Sequence, residues 1–309
     1  MAERTIAIVG LGLMGGSLGL ALKRATPAPR VLGVDVEPAV LQRAIEVRAV
    51  DSVASLEAAC IEADVLVLAA PLGAVVDIID RNASLLARVP LVTDVASVKR
   101  PVIVAAERAG IAGRFVGAHP VCGRERSGID AALGDLYDDA LVWITPASAA
   151  APAERAAELW RSVRARPRTI DPAEHDRLMA RISHTPQVVA SALAAALARV
   201  GADADQLGPG GRDTTRIAAS PEPLWAEILI ANASLVLEPV DAVLDVLESL
   251  RAAIAAADAD AIAALLREAR VWRERARTAG DKLDTAASSG VDAPPPRHGQ
   301  PRRDDRRRG

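Results

Sequence analysis

Thr5 to Val9 is an uninterrupted β-branched and apolar run that ends in a glycine cluster, and from Met14 to about Ala25 the apolar positions recur at helical spacing. The same switch of period repeats down the chain. Strands are predicted at Arg30–Val34, Asp64–Ala70, Leu91–Val95, Phe115–Ala118 and Leu141–Thr145, with helices from Pro71 to about Arg88 and from Val98 to Ala109. Alternating strands and helices predict an α/β Rossmann-type, doubly wound parallel sheet with ligands at the carboxyl ends of its strands. Pro152–Arg166 reads as a helix and Arg168–Ile170 as an added edge strand. Beyond Pro172 the pattern is almost wholly helical. A long segment, Ala173–Val200, contains the Ser183–Pro186 element, and a loop follows at Gly208–Ser220. Ser220 then caps a helix with Pro221 at its first position, and alanine- and leucine-rich helices run to about Ala279. The expected organisation is a nucleotide-binding domain over residues 1–171, an all-α domain over 172–284 and a disordered Pro/Arg-rich tail over 285–309. The helical domain is expected to pack part of its apolar stripe against another subunit.

Composition narrows the partners. The 309 residues are half hydrophobic and one quarter charged, with a net charge of -3, so nucleic acid is not an expected partner. Arg302, Arg303 and Arg306–Arg308 form the only strong basic run, and it lies in the tail. Cys60 and Cys122 are far apart, without the spacing of a metal site or a disulfide framework. The first apolar run is the glycine-bounded strand itself rather than a leader, and a cytoplasmic protein that does not engage membranes is expected.

The glycine cluster is GxGxxG in its required setting, with a strand before and a helix after. Gly10 permits the tight turn, Gly12 lets backbone amides reach a pyrophosphate, and Gly15 lets helix and strand approach. Leu13 and Met14 open the helix whose N-terminus faces the phosphates. Asp35 ends the second strand, where a carboxylate binds both ribose hydroxyls and repels a 2′-phosphate, so NAD is the expected cofactor. The strand-end rule further selects Ala70-Pro71-Leu72, Asp94-Val95-Ala96-Ser97 and His119-Pro120 as pocket loops.

His119 follows a buried strand where a nicotinamide would lie. It is either a base taking a hydroxyl proton as hydride leaves the same carbon, or a cap on the strand end. His175 and His184 invite a metal reading, but nine residues of α-helix place them on opposite sides, so no metal is expected. Pro186 next to His184 interrupts the helix, leaving His184 either a buried structural residue or a ligand contact. Arg212 and Arg216 share one helical face; they suit a carboxylate or a surface salt-bridge network. Ser97 and Lys99 cap the following helix or touch the nicotinamide pocket, and capping is the safer expectation for Ser97.

Taken together, GLGLMGGSL, DVASVK, AHPVCGRERSG, HDRLMARISHTPQ and GGRDTTRIAASPEPLW resemble the prephenate/arogenate dehydrogenase (TyrA) family from about Thr5 to Ala279. The resemblance implies NAD-dependent oxidative decarboxylation of prephenate to 4-hydroxyphenylpyruvate in tyrosine biosynthesis, or of arogenate to tyrosine. It implies His119 as the catalytic histidine on the ring hydroxyl, Ser97 as its support, His184 in the substrate pocket and Arg216 on a substrate carboxylate. Glu125 and Trp225 match further pocket-lining positions, and a homodimer through the helical domain is implied. Cys122 and Gln187 stand where relatives often have alanine and histidine; Gln187 keeps hydrogen-bonding ability without charge, which bears on prephenate against arogenate. No chorismate mutase segment precedes the fingerprint, so a monofunctional enzyme is expected.

Two rivals share the sheet. A 3-hydroxyacid or 6-phosphogluconate-type dehydrogenase uses a helical lysine, and from Pro172 to Gly280 this chain has none. A non-catalytic NAD-binding sensor would need Asp35 and the glycines, but not His119, His184 and Arg216 together.

Overall fold

A computed structural model describes residues 4–123 and 126–288. The sheet domain runs β1 (Thr5–Val9), α1 (Leu13–Leu22), β2 (Arg30–Val34), α2 (Pro38–Glu46), β3 (Ser52–Val53), α3 (Leu56–Glu62), β4 (Val65–Leu68), α4 (Leu72–Arg81), α5 (Ala83–Leu86) and β5 (Leu91–Asp94). It continues through α6 (Arg100–Arg108), β6 (Phe115–Pro120), β7 (Leu141–Pro146), α7 (Ala153–Ser162) and β8 (Arg166–Thr169). The sheet order is β3-β2-β1-β4-β5-β6-β7-β8, so the chain reverses direction across the sheet between β1 and β4 and opens a ligand crevice there. Both faces are covered. Ile6 and Ile8 of β1 point into one core with Leu18, Leu22 and Trp160, while Ala7 and Val9 point into the other with Leu68, Val75 and Val102. That double burial is why the central strands read as continuous apolar runs rather than alternating ones.

The sheet is not wholly parallel. β7 pairs antiparallel with β6, placing His119 opposite Trp143, and β8 runs parallel to β7. The reason lies in the connection: among the described residues β6 reaches β7 through a loop and a short 3₁₀ turn at Ile129–Ala131, without the crossover helix that a parallel return needs. The single helix expected from Pro71 breaks at Asn82, whose carbonyl accepts from Leu86 N and starts α5. α2, β3 and α3 were not expected; β3 is two residues long and α2 is mostly exposed, so neither leaves a strong pattern.

The helical part comprises α8 (Pro172–Met179), a π turn (Ala180–His184), α9 (Thr185–Arg199), α10 (Pro209–Thr215), a 3₁₀ turn (Arg216–Ala219), α11 (Glu222–Ala231), α12 (Ala233–Ala255) and α13 (Ala259–Ser288). Asp171 caps α8 by accepting from Ala173 N and Glu174 N, and Pro172 takes the first helical position. α13 continues to Ser288, past Thr285 where order was expected to end; residues 289–309 lie outside the described residues. Two compact units emerge, Met1–Ala242 and the chain from Val243 onward. In the second, Asp258 caps α13 through Ala261 N, and Leu244, Leu247, Ile254, Leu266 and Trp272 are exposed. No helix among the described residues is long and apolar enough to cross a membrane.

Candidate active site

The fingerprint turn is built by steric necessity. Gly10 has φ +93°, and a Cβ there would lie 2.7 Å from the Ala69 carbonyl oxygen; at Gly15 it would lie 1.9 Å from the Gly10 oxygen. The turn is held by Asp35, whose carboxylate accepts from Leu11 N at 2.8 Å and from Glu37 N at 3.0 Å. Gly12, by contrast, has nothing within 4 Å of its missing Cβ and faces a 530 Å³ cleft. Leu13, Met14, Ala70, Pro71, Ala96 and Ser97 line the same cleft, and no acidic side chain stands in the first turn of α1. An open glycine at a helix N-terminus, flanked by strand-end loops, fits the pyrophosphate of a dinucleotide. Glu227 of α11 also borders the cleft, accepting from Leu72 N at 3.1 Å and Gly73 N at 2.6 Å at the start of α4. Its two-amide contact complements the helix dipole.

Asp94 does not line this cleft, contrary to expectation. It is fully buried, accepts from Ala96 N and Ala118 N, and pairs with the equally buried Lys99, whose Nζ also donates to the Ala118 carbonyl. The pair therefore grips both backbone groups of the residue before His119. Burial lowers the Lys99 pKa, against the opposing pull of Asp94 and Asp176. Ser97 does not cap α6 either. The amides of Lys99 and Arg100 both donate, at 2.8 Å, to the Asp176 carboxylate of α8, leaving Ser97 on the cleft wall.

A buried histidine network joins the two parts. His119 Nδ1 lies 2.9 Å from His175 Nε2, and His175 Nδ1 lies 2.8 Å from Asp176 Oδ1. The amide nitrogen of Asn232 donates to the Asp176 carbonyl at 2.9 Å and lies 3.1 Å from His184 Nδ1. His175 thus meets Asp176 directly, and His184 is linked to the same aspartate through Asn232. The uniform α-helical rotation expected between them does not hold, because the five residues Ala180–His184 form a π turn, which advances by a smaller angle per residue than an α-helix. Burial pushes the His119 pKa well below its ordinary value, with His175, Lys99 and His184 adding to the shift. Burial likewise pushes His184 down to about 4. Asp176 stays below the usual carboxylate range despite burial, because His175 and the two α6 amides stabilise its charge.

His119, His184, Arg216, Trp225 and Ser97 line one 290 Å³ cavity together with Met179, Leu224 and Ile228. Trp225 meets His184 edge-on, with centroids 6.0 Å apart. The cavity and the glycine-lined cleft share Ser97, Pro120, Cys122, Gly123, Pro221, Leu224 and Ile228, so a cofactor in one borders a substrate in the other. Burial raises the Cys122 thiol to about 12, keeping it protonated at this junction. Arg212 is exposed and outside the lining. Gln187 is also outside it; its Nε2 donates to Ile217 O at 2.9 Å and braces the turn that begins at Arg216. Glu125 lies outside the described residues. Sequence reasoning missed Asp176, Asn232 and Glu227 as site-building residues and set His175 aside. The adjacent His175-Asp176 pair was the available signal.

Residues 18–168 match the family described as prephenate dehydrogenase, nucleotide-binding domain, and residues 171–268 match prephenate dehydrogenase, dimerization domain. A prephenate dehydrogenase of Lactococcus lactis is 30% identical over 281 residues, which are 88% of this chain and 77% of that protein. A cyclohexadienyl dehydrogenase of Zymomonas mobilis is 31% identical over 287 residues, 89% of this chain and 97% of its own. The crystal structure of a prephenate dehydrogenase from A. aeolicus, in complex with hydroxyphenyl propionate and NAD+, has a TM-score of 0.79 at 27% identity, covering 89% of this chain and 99% of that one.

Proposed function

The chain belongs to the prephenate dehydrogenase family, and from that premise we propose that it oxidises prephenate with NAD to 4-hydroxyphenylpyruvate and carbon dioxide. The observation that carries this reading is the junction at Ser97 between a dinucleotide-shaped cleft and a cavity lined by His119, His184 and Arg216. Residues 1–171 bind the cofactor in this reading, with Gly10, Gly12, Gly15, Leu13 and Met14 at the pyrophosphate and Asp35 at the ribose. Bound NAD supplies the acceptor for the hydride that leaves the ring carbinol carbon.

The rest is the work of the chain. His119, neutral at physiological pH because burial disfavours its charged form, takes the ring hydroxyl proton. The ketone so formed lies conjugated to the carbon bearing the ring carboxylate, so carbon dioxide departs and the ring aromatises. His119 then returns its proton to the phenolate oxygen. Arg216 holds the side-chain carboxylate with a planar two-donor fork and orients the ring, aided by His184 and Trp225. Ser97 supports His119 at the cofactor side.

The helical part, over residues 172–284 in this reading, forms a homodimer, supported by the dimerization-domain match and by exposed Leu244, Leu247 and Trp272. We place the reaction in the cytoplasm, where NAD is at hand and the unpaired Cys60 and Cys122 stay reduced. The test is NADH absorbance with purified protein, NAD and either prephenate or arogenate. Faster reduction with prephenate, with carbon dioxide released in equal amount, supports the reading; preference for arogenate moves the activity to direct tyrosine formation. Measurable NAD binding without reduction by either substrate returns the chain to the sensor class.

A further inference from the structure

We propose that His175 and Asp176 are positioning residues that set the tautomer of His119, holding its proton on Nδ1 and leaving Nε2 bare toward the substrate cavity. The inference rests on His119 being the base. It follows from the far end of the hydrogen-bond chain. The Asp176 carboxylate accepts from Lys99 N and Arg100 N, so it is ionised and offers no proton. His175 Nδ1, 2.8 Å away, must therefore donate to it. A neutral His175 then presents Nε2 as an acceptor, and His119 Nδ1, at 2.9 Å, must donate in turn. A neutral imidazole carries one such proton, so His119 Nε2 holds a free lone pair.

The same residue fixes the second histidine the other way. The Asp176 carbonyl can only accept, which identifies the Asn232 atom facing it as nitrogen. That nitrogen is 3.1 Å from His184 Nδ1, so His184 Nδ1 accepts and its proton sits on Nε2. One cavity thus receives an acceptor from His119 and a donor from His184, both decided at Asp176.

When His119 takes the substrate proton, its Nδ1–H still donates to His175, and the Asp176 charge at the end of the chain stabilises the imidazolium. Among the described residues, the charged and titratable groups around His119 are His175 and Asp176 of α8, Lys99 before α6, Asp94 of β5, His184 of the π turn, and Cys122 and Arg216 on the cavity wall. Lys99 is matched by Asp94, which leaves Asp176, among the described residues, as the carboxylate linked to His119 through a path of side-chain hydrogen bonds.

Two measurements test this. The chain has four histidines, so ¹⁵N-histidine labelling and long-range ¹H–¹⁵N spectra of the wild-type protein at pH 7 resolve each tautomer, with His119 assigned by the His119→Asn variant. The expected result is Nδ1–H at His119 and Nε2–H at His184; an Nε2–H tautomer at His119 overturns the proposal. In kinetics, His175→Phe should lower kcat about 100-fold, with KM for prephenate and NAD affinity within about threefold. His175→Gln, whose amide can accept and donate, should recover most of kcat. In a His119→Asn background, His175→Phe should have no further effect. A His175→Phe enzyme within about threefold of wild-type kcat, beside an inactive His119→Asn enzyme, would overturn the relay and leave the base assignment standing. A fully active His119→Asn enzyme would remove the base assignment and the relay together.

Discussion

Asp171 and Asp176 are both aspartates whose carboxylates accept two backbone amides at a helix N-terminus, and removing them should have very different costs. Asp171 caps α8 at an exposed position, where water can replace the lost carboxylate. Asp171→Ala should therefore cost about 1 kcal/mol, the usual value of a cap. Asp176 is 1% exposed, and its loss strands the buried Lys99 amide, the half-buried Arg100 amide and the His175 N–H at once. Each stranded donor costs roughly 1–3 kcal/mol, and breaking a buried charged contact costs roughly 3–5, so Asp176→Ala should destabilise by about 4 kcal/mol. At roughly 2–4 °C per kcal/mol, Tm should fall by about 12 °C for Asp176→Ala and about 3 °C for Asp171→Ala. The assay is thermal unfolding at pH 7 and fixed protein concentration, since subunit association also shifts Tm. The pH dependence has a defined sign. The Asp176 pKa is depressed in the fold, so its stabilisation is present above the unfolded carboxyl pKa and disappears as pH falls through the folded one. The gap between wild type and Asp176→Ala should accordingly narrow below about pH 4. Equal Tm shifts for the two variants, or a gap that widens in acid, would refute the reasoning.

Three further outcomes are expected. Arg216→Lys keeps the charge but loses the planar fork, and should raise KM for prephenate roughly 10–100-fold by steady-state kinetics; an unchanged KM would remove Arg216 from the carboxylate. Gly10→Ala forces a methyl to 2.7 Å from the Ala69 oxygen at φ +93°, so a calorimetric NAD titration should show weakened binding together with a lower Tm. His184 has its folded pKa near 4, below the ordinary histidine value, so stability should decline as pH falls from about 6.5 through 4. The loss is about 3 kcal/mol, and urea titrations should show it flattened in His184→Gln.

The cofactor half of the site was legible because its signal is local. Gly10 and Gly15 must be glycine for steric reasons within one turn, Gly12 stands open to the cleft between them, and the strand and helix around them carry their own periodicities. Strand direction was not legible in the same way: Leu141–Pro146 has the same apolar pattern whether parallel or antiparallel, and only the missing helix before it encodes the reversal. The active-site histidines fell between these cases. His119 stood out through its place at a strand end. The placement of His175 relative to His184 is not legible, because the α-helical period changes to a π turn at Ala180–His184 with no local sequence signal. Asp94 and Gln187 were polar residues near the site, yet burial and backbone partners occupy them. The α6 cap illustrates the general limit: its acceptor, Asp176, comes from 77 residues beyond Lys99, and no local capping pattern announces it.

The most direct test of the central claim is the rate of NADH formation from prephenate by His119→Asn, measured beside its NAD affinity. If His119 takes the hydroxyl proton, kcat falls by about 10²–10⁴-fold while NAD binds as in the wild type. Wild-type turnover in this variant would contradict the assignment and show that the proton leaves by another route.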